Sequence, residues 1–378
     1  MSSYAVNYGS GAYGLSAESL TGFDIVLANG ELLSTGSGGG VNSSAFFRFY
    51  GPDLTGIFAG DSGALGVKAR VSMRLIKNPE GFAACSFGFP DGESALKAQM
   101  EVAALGVVAH SFGLDPRQQK TALTRMESTS TLEAARSIMR SARSPIDGLL
   151  QLAKMGMAGR NFLKNASYSA HFSCEGVTDE EARAKVAAVR AVAQKYGAEV
   201  ANSIPLFFRA EPFMDLLPIL GPNGERWKPT HSIVPFSKLL QHHADFEALV
   251  DEYRERMDKR GVQLTRMLMA FSSNAFIYEP TFLWNDSQTI YHQKMYPEQL
   301  LPSVPTHPDN PEGRALVKEI KGRIQQICTK NGACHLQIGK DYPYLETRKP
   351  ETLGLIRQLK SSLDPNGLMN PGALGLDD

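Results

Sequence analysis

No apolar run in the 378-residue sequence is long enough to cross a bilayer, and the N-terminal MSSYAVNYGSGAYG has neither the charged nor the apolar region of a signal peptide. The chain is therefore expected to be soluble and cytoplasmic, without a membrane span. Charge of one sign is lacking too: 39 Lys and Arg stand against 39 Asp and Glu, which removes the electrostatic case for nucleic acid or an anionic membrane surface. A small-molecule partner fits better. Only four cysteines occur, Cys85, Cys174, Cys328 and Cys334, and none has C-x-x-C spacing. That excludes a disulfide framework and a zinc site and points to a reducing compartment.

The two commonest nucleotide motifs are also missing. GDSGALGVKARVSMRL, residues 60 to 75, places Gly60, Gly63 and Gly66 three apart, yet it lacks a Lys-Ser or Lys-Thr ending and leads into a strand pattern instead of a helix. Such a loop either offers N–H groups to an oxygen-rich ligand or is a tight turn feeding a hairpin. Spacing alone leaves both readings open.

The early sequence is rich in glycine and β-formers. FDIVLANGELLSTG sets Asn29-Gly30 between two apolar runs, a strong hairpin signal. VKARVSMRLI alternates Val67, Ala69, Val71, Met73 and Leu75 with Lys68, Arg70, Ser72 and Arg74, predicting a half-buried strand with one solvated face. From about residue 80 the pattern becomes strand, helix, strand. FAACSFGF, DGESALKAQMEVAAL and VVAHSF form one unit; ASYSAHFS, a helix opened by Thr178 with Glu181 in capping-box relation, and AEVANSI form another. A third runs from HSIVPF through a helix with Phe246, Leu249, Val250, Tyr253 and Met257 on one face, stopped at Gly261, to VQLTRMLMAF. Helices on one face of a mainly antiparallel sheet make an α+β fold. Residues 115 to 164 read as a helical insertion.

Beyond SVPTHPDNPEG, Asn310 and Pro311 open a helix with Leu316, Val317, Ile320, Ile324 and Ile327 on one face, stopped at Asn331-Gly332. ACHLQIG then predicts a strand whose alternation aims His335 and Gln337 one way and Cys334, Leu336 and Ile338 the other. KDYPYLETR follows, and a last helix through Leu355, Ile356 and Leu359 runs into LDPNGLMNPG.

FDIVLANGELLSTG, GPDLTGIFAGDSGALGVKARVSMRL and LDPNGLMNPG, in that order and spacing, resemble the FAD-linked oxidases of the vanillyl-alcohol oxidase superfamily. The resemblance implies a second FAD-binding subdomain over 1–78, a ferredoxin-like cap domain with a mainly antiparallel sheet over 79–331, and a segment returning to the flavin site over 332–378. It implies that Gly60, Asp61, Ser62, Gly63, Ala64, Leu65, Gly66 and Val67 lie against FAD, with Asn370 approaching from the other side. Asp61 and Ala64 stand where the family more often has Glu and Thr. The family's first FAD subdomain is not found, so either a separate chain supplies it or the chain is a truncated product; a homodimer is left open.

Other departures narrow the chemistry that the resemblance implies. Asn274, Ala275 and Phe276 stand where a histidine would anchor the flavin, so FAD is expected to be non-covalent. Leu336 and Gln337 replace the tyrosine-arginine pair that holds a phenolate, and the HxGDGNxH metal cluster of the 2-hydroxy-acid branch is missing, so no metal is expected. The remaining candidates for catalysis are His335, Gln337, Lys340, Tyr342 and Tyr344, with His335 the expected base. In the cap, His231, Tyr278 and Glu279 are weaker candidates, and His242-His243 reads as a surface pair. Two functions follow: oxidation of a small alcohol, hydroxy acid or amine by hydride transfer to flavin, or a catalytically silent fragment acting through protein contacts.

Overall fold

The computed structural model describes residues 1–6, 8–119, 167–210, 220–221, 223–295, 298 and 301–376. The insertion expected over 115–164 lies outside them from residue 120 onward. The chain divides into two compact units, Met1–Asn78 with Cys334–Asp378, and Pro79–Ala333.

In the first unit, β1 (Leu20–Val26), β2 (Leu32–Ser34) and β3 (Val67–Met73) form an antiparallel sheet in the order β2-β1-β3. The Asn29-Gly30 hairpin forms as expected: the Leu27 amide donates to Glu31 O, and Gly30 takes φ 85°. Phe23 and Ile25 of β1 bury themselves with Phe58 and Leu65. The simple alternation expected of β3 does not hold. Phe23 pairs with Val71, but Ile25 pairs with Lys68, because the register shifts after Asp24. One extra residue flips a strand's faces. Lys68 therefore turns inward to pair with Asp61, and Val67 is left 57% exposed.

Two expectations near the C-terminus are likewise corrected. Residues 335–339 are not a strand, since Gln337 (φ 47°) and Gly339 (φ 55°) take left-handed conformations that a pleated strand cannot contain. The helix Pro350–Leu363 forms, but its buried residue is Lys360, while Leu355 is exposed.

The second unit holds one eight-stranded sheet of antiparallel pairs. In chain order its strands are β4 (Gly81–Phe89), β5 (His110–Leu114), β6 (Tyr168–Gly176), β7 (Ala198–Val200), β8 (Arg226–Pro229), β9 (Ser232–Pro235), β10 (Gln263–Phe271) and β11 (Ala275–Trp284). They run β7-β4-β6-β5-β10-β11-β8, with β9 also on β11. Helices Gly92–Ala104, Asp179–Ala193, Phe236–Arg260 and Pro311–Lys330 begin and end where the sequence places them. Asp91, Thr178 and Asn310 accept amide hydrogen bonds at three N-termini, and Gly261 closes the third helix at φ 64°.

These four helices cover one face of that sheet, and a further helix, Ser203–Ala210, packs Ile204 on Phe112 and Leu114 of the other. Phe246, Leu249, Tyr253, Leu316, Ile320 and Ile324 pack on Leu264, Leu268, Phe276, Tyr278 and Phe282, while Val186 and Val189 pack on Cys85, Phe87, Phe172 and Cys174. His242 and His243 belong to this packing and not to the surface: Tyr278 stacks edge-on with His242 and hydrogen-bonds His243 Nδ1 at 2.8 Å. Burial pushes the His243 imidazole down to about 4, so it is neutral near pH 7.

Candidate functional site

The glycine-rich loop is held from every side. The amides of Gly60 and Ser62 donate to Met1 O and Ser2 O, and Ala64 N donates to Asp61 O. The Asp61 carboxylate takes the amides of Gly63 at 2.9 Å and Leu65 at 3.2 Å, and it pairs with Lys68. On the acceptor side, Ser62 O takes Asn370 Nδ2 at 2.6 Å, Ala64 O takes Lys360 Nζ at 3.0 Å, and Ser62 Oγ takes the Gly339 amide at 3.0 Å.

Two of the three glycines answer to packing within the chain. A side chain on Gly60, which sits at φ 72°, would collide with the Tyr4 ring, and one on Gly66 would come within 2.6 Å of Ile25 Cγ2. Gly63 differs in that its backbone, at φ 78°, calls for glycine while a Cβ there would meet only Asn370, at 3.7 Å. The amides of Gly60, Ser62, Gly63, Ala64 and Leu65 are thus engaged inside the chain.

Of the five catalytic candidates, the structure brings two together. His335 and Tyr342 stack, with ring centroids 4.3 Å apart and planes 21° from parallel. Tyr342 is buried, His335 half-buried, and Gln337 and Lys340 are exposed. Tyr344 carries the Arg348 guanidinium at 5.1 Å and packs with the cluster of Ala64, Leu374 and Leu376. His335 and Gln337 therefore do not share a strand face, and what groups His335 with Tyr342 is ring stacking across a turn closed by Tyr342 N–H to Ile338 O.

In the second unit, register identifies what lies on the sheet face opposite those four helices. The pairs Met267 with Glu279, Met267 with Leu114, and Leu114 with Ser169 form one row. Phe112, His171 and Ser86 form another. His171 is fully buried and bonded to Ser86 Oγ at 2.8 Å and Ser169 Oγ at 3.1 Å, and burial pushes it down to about 3, which makes it a neutral hydrogen-bonding hub. The alternation in SAHFS, with Ser169, His171 and Ser173 all one way, carried this signal and was read only as a strand.

Glu279, which is half-buried, stands apart from the buried carboxylates. Asp115 takes Arg266, Asp286 takes Arg226 and Arg314, and Asp364 takes Lys360. Glu279 has no hydrogen bond or ion pair among the described residues, and burial pushes its carboxyl up to about 7. No group of three or more His, Cys, Asp or Glu among the described residues could hold a metal ion, and no helix among them is long and apolar enough to cross a membrane.

Comparison with known proteins places this geometry. The family "FAD linked oxidases, C-terminal domain" matches residues 78–374. A probable mitochondrial D-lactate dehydrogenase of Danio rerio is 31% identical over 96 residues, 25% of this chain and 18% of that protein. Among solved structures, 4-ethylphenol oxidase from Gulosibacter chungangensis superposes with TM-score 0.66 at 15% identity, over 99% of this chain and 69% of that one. Alkyldihydroxyacetonephosphate synthase superposes with TM-score 0.58 at 14% identity, over 97% of this chain and 55% of that one, so this chain spans about half its length. At such identities the structural likeness speaks for the fold. The family match, which runs through the second unit and into the C-terminal part of the first, settles that the chain belongs to the FAD-linked oxidases, C-terminal domain, whose cofactor is FAD.

Proposed function

We propose that the chain is the substrate-handling part of an FAD-dependent oxidoreductase acting on a small organic molecule. The observation that carries this reading is the family match over residues 78–374. Bound FAD supplies the two-electron acceptor in such chemistry. What the residues of this chain contribute is a surface beside Gly63 and Asn370 for an uncharged part of the cofactor, and polar groups that hold or take the substrate proton, with the His335 and Tyr342 pair among them. The committed amides of the loop support a division of labour in which a segment outside residues 1–378, on the same or a separate chain, binds the pyrophosphate. Phe276, buried in the core, supports dissociable flavin.

The chain alone is expected to be nearly colourless, and to gain flavin absorbance when a segment carrying a pyrophosphate-binding loop is added. Mild denaturation should then release all the flavin. Stoichiometric FAD on the isolated chain would overturn the division of labour, and absence of flavin uptake in both samples would overturn the flavoenzyme reading. In the reconstituted protein, His335→Ala should slow flavin reduction roughly a hundredfold if it is the base. A cytoplasmic location is proposed on the four free thiols. The exposed apolar residues of β3 favour, as a second reading, a silent chain that acts through protein contacts.

A further inference from the structure

Most of the large hydrophobic residues exposed among the described residues belong to the first unit, and β3 concentrates them. Val71 is 39% exposed, Met73 41%, and Leu75 just beyond the strand 89%. β3 pairs with β1 on one side, and among the described residues no strand pairs with its other edge. The Arg74 amide donates to Ser19 O at 2.7 Å, which by alternation turns the backbone N–H and C=O groups of Val71 and Met73 to that free edge. Register also sorts the side chains. Val71 lies opposite Phe23 and Met73 opposite Leu20, level with the core of the unit, whereas Arg70 lies opposite Asp24 and Ser72 opposite Gly22. Arg74 continues this second row. The charge along the edge has one sign: VKARVSMRLIK carries Lys68, Arg70, Arg74 and Lys77 and no acidic residue. Lys68 is held by Asp61, and Arg70 reaches Asp24 at 3.1 Å, while Arg74 is exposed.

An exposed edge strand with apolar side chains is a template for pairing with another strand unless it is blunted or covered. Two copies of this chain pairing here would set basic, acid-free strands side by side, and like charges across a ladder are destabilising. An acidic strand reverses that sign. We propose that β3 takes one further strand, an extended polypeptide segment that alternates apolar with acidic residues. Its backbone pairs with Val71 and Met73, its apolar side chains close over the exposed rim of the core, and its carboxylates meet Arg70 and Arg74. Main-chain hydrogen bonds supply the pairing, and the two side-chain rows supply the selectivity. The inference rests on the reading of this chain as one that works with a companion segment, but the pairing itself needs no flavin.

Fluorescence anisotropy of the full chain with a dye-labelled peptide alternating valine and glutamate tests it, with hydrogen exchange of β3 read by mass spectrometry on the same mixture. The peptide should bind and should slow exchange over residues 67–73 by about tenfold or more. A peptide alternating valine and lysine should bind about tenfold more weakly, as expected for two reversed cross-strand charge pairs. A peptide with the same valines and glutamates in separate blocks should also bind more weakly, and one with every amide N-methylated should not bind. Arg74→Glu, at an exposed position, should narrow the gap between the glutamate and lysine peptides. Failure of the alternating glutamate peptide to bind, equal binding of the block or lysine peptide, binding that survives N-methylation, or an unchanged gap in Arg74→Glu would each overturn the proposal. So would a dimer of the chain alone, seen by sedimentation, with β3 already protected, since a second copy would then hold the edge. Flavin uptake is measured separately by fluorescence quenching. Uptake without peptide binding removes the docking edge and leaves the flavoenzyme reading; peptide binding with no uptake, even with the pyrophosphate-binding segment added, does the reverse.

Discussion

Replacing Lys360 by methionine should loosen the whole glycine-rich corner of the first unit. Lys360 Nζ lies in a nearly dry site, donating to Asp364 Oδ2 at 2.5 Å, Ala64 O at 3.0 Å and Met369 O at 3.2 Å. Asp364 also collects the amides of Leu368 and Met369, each at 2.8 Å. Burial alone would raise the Asp364 carboxyl, but these hydrogen bonds outweigh it and hold the group below the usual carboxylate range. Its contribution to stability is therefore present above the unfolded value near 4 and is lost as pH falls through the lower folded value.

Methionine keeps the length of the stem and removes the charge, leaving an unpaired buried carboxylate and two carbonyls short of a donor. Breaking one side of a buried pair costs about 3–5 kcal/mol. For a unit of this size that is a fall in Tm on the order of 10 °C or more. Thermal and urea melts of Lys360→Met, Asp364→Asn and the double variant check the reasoning, and the double variant should lose clearly less than the two single losses summed. A loss under about 1 kcal/mol in Lys360→Met, or strict additivity, would refute it.

Glu279→Gln should raise stability at alkaline pH. Because burial raises the folded value to about 7 from an unfolded value near 4.5, the wild type loses stability as pH rises from about 4.5 to 7, by at most roughly 3 kcal/mol. Urea melts across that range should show the variant flat by comparison, and parallel curves would contradict the assignment. Arg266→Leu should destabilise by about 3–5 kcal/mol at pH 7, since it strands Asp115 and Glu247, and by less as pH falls, because burial raises both carboxyls and eases their protonation. Leu336→Ala should cost about 2–4 kcal/mol in melts, because Leu336 is 6% exposed, while His335→Asn should cost under about 1 kcal/mol beyond the lost ring stack.

Periodicity made most of the second unit legible. The stripe Phe246, Leu249, Val250, Tyr253 and Met257 is the buried face of its helix, and Thr178, Asn310 and Gly261 mark helix ends, because local chemistry at those positions decides the outcome. β3 was misread because alternation assumes an unbroken pleat. A single bulge sends Lys68 to the core side, and nothing in VKARVSMRLI announces it. The segment around His335 was misread for a related reason: two left-handed residues end the alternation, and Gln337 carries no local signal for a positive φ. For the glycine loop, the spacing was visible but not its cause. Tyr4 and Ile25, far away in sequence, require Gly60 and Gly66, and only the fold brings them together. Glu279 was visible as a residue, but its isolation from any cation is a property of the sheet register.

The first unit is assembled from the two ends of the chain, Met1–Asn78 and Cys334–Asp378, with Pro79–Ala333 between them. During synthesis the opening segment emerges first and cannot be closed until the last segment has left the ribosome, because the contacts of Ser62 and Ala64 are to Gly339, Lys360 and Asn370. At translation rates of about 5–20 residues per second, the intervening stretch imposes a wait on the order of 10–50 seconds. Throughout it, the glycine-rich loop lacks its C-terminal partners, while the second unit, made of continuous chain, is free to fold. The nascent protein thus passes through a state in which its larger unit is free to close and its smaller unit is half-built, the interval in which a chaperone has most to protect.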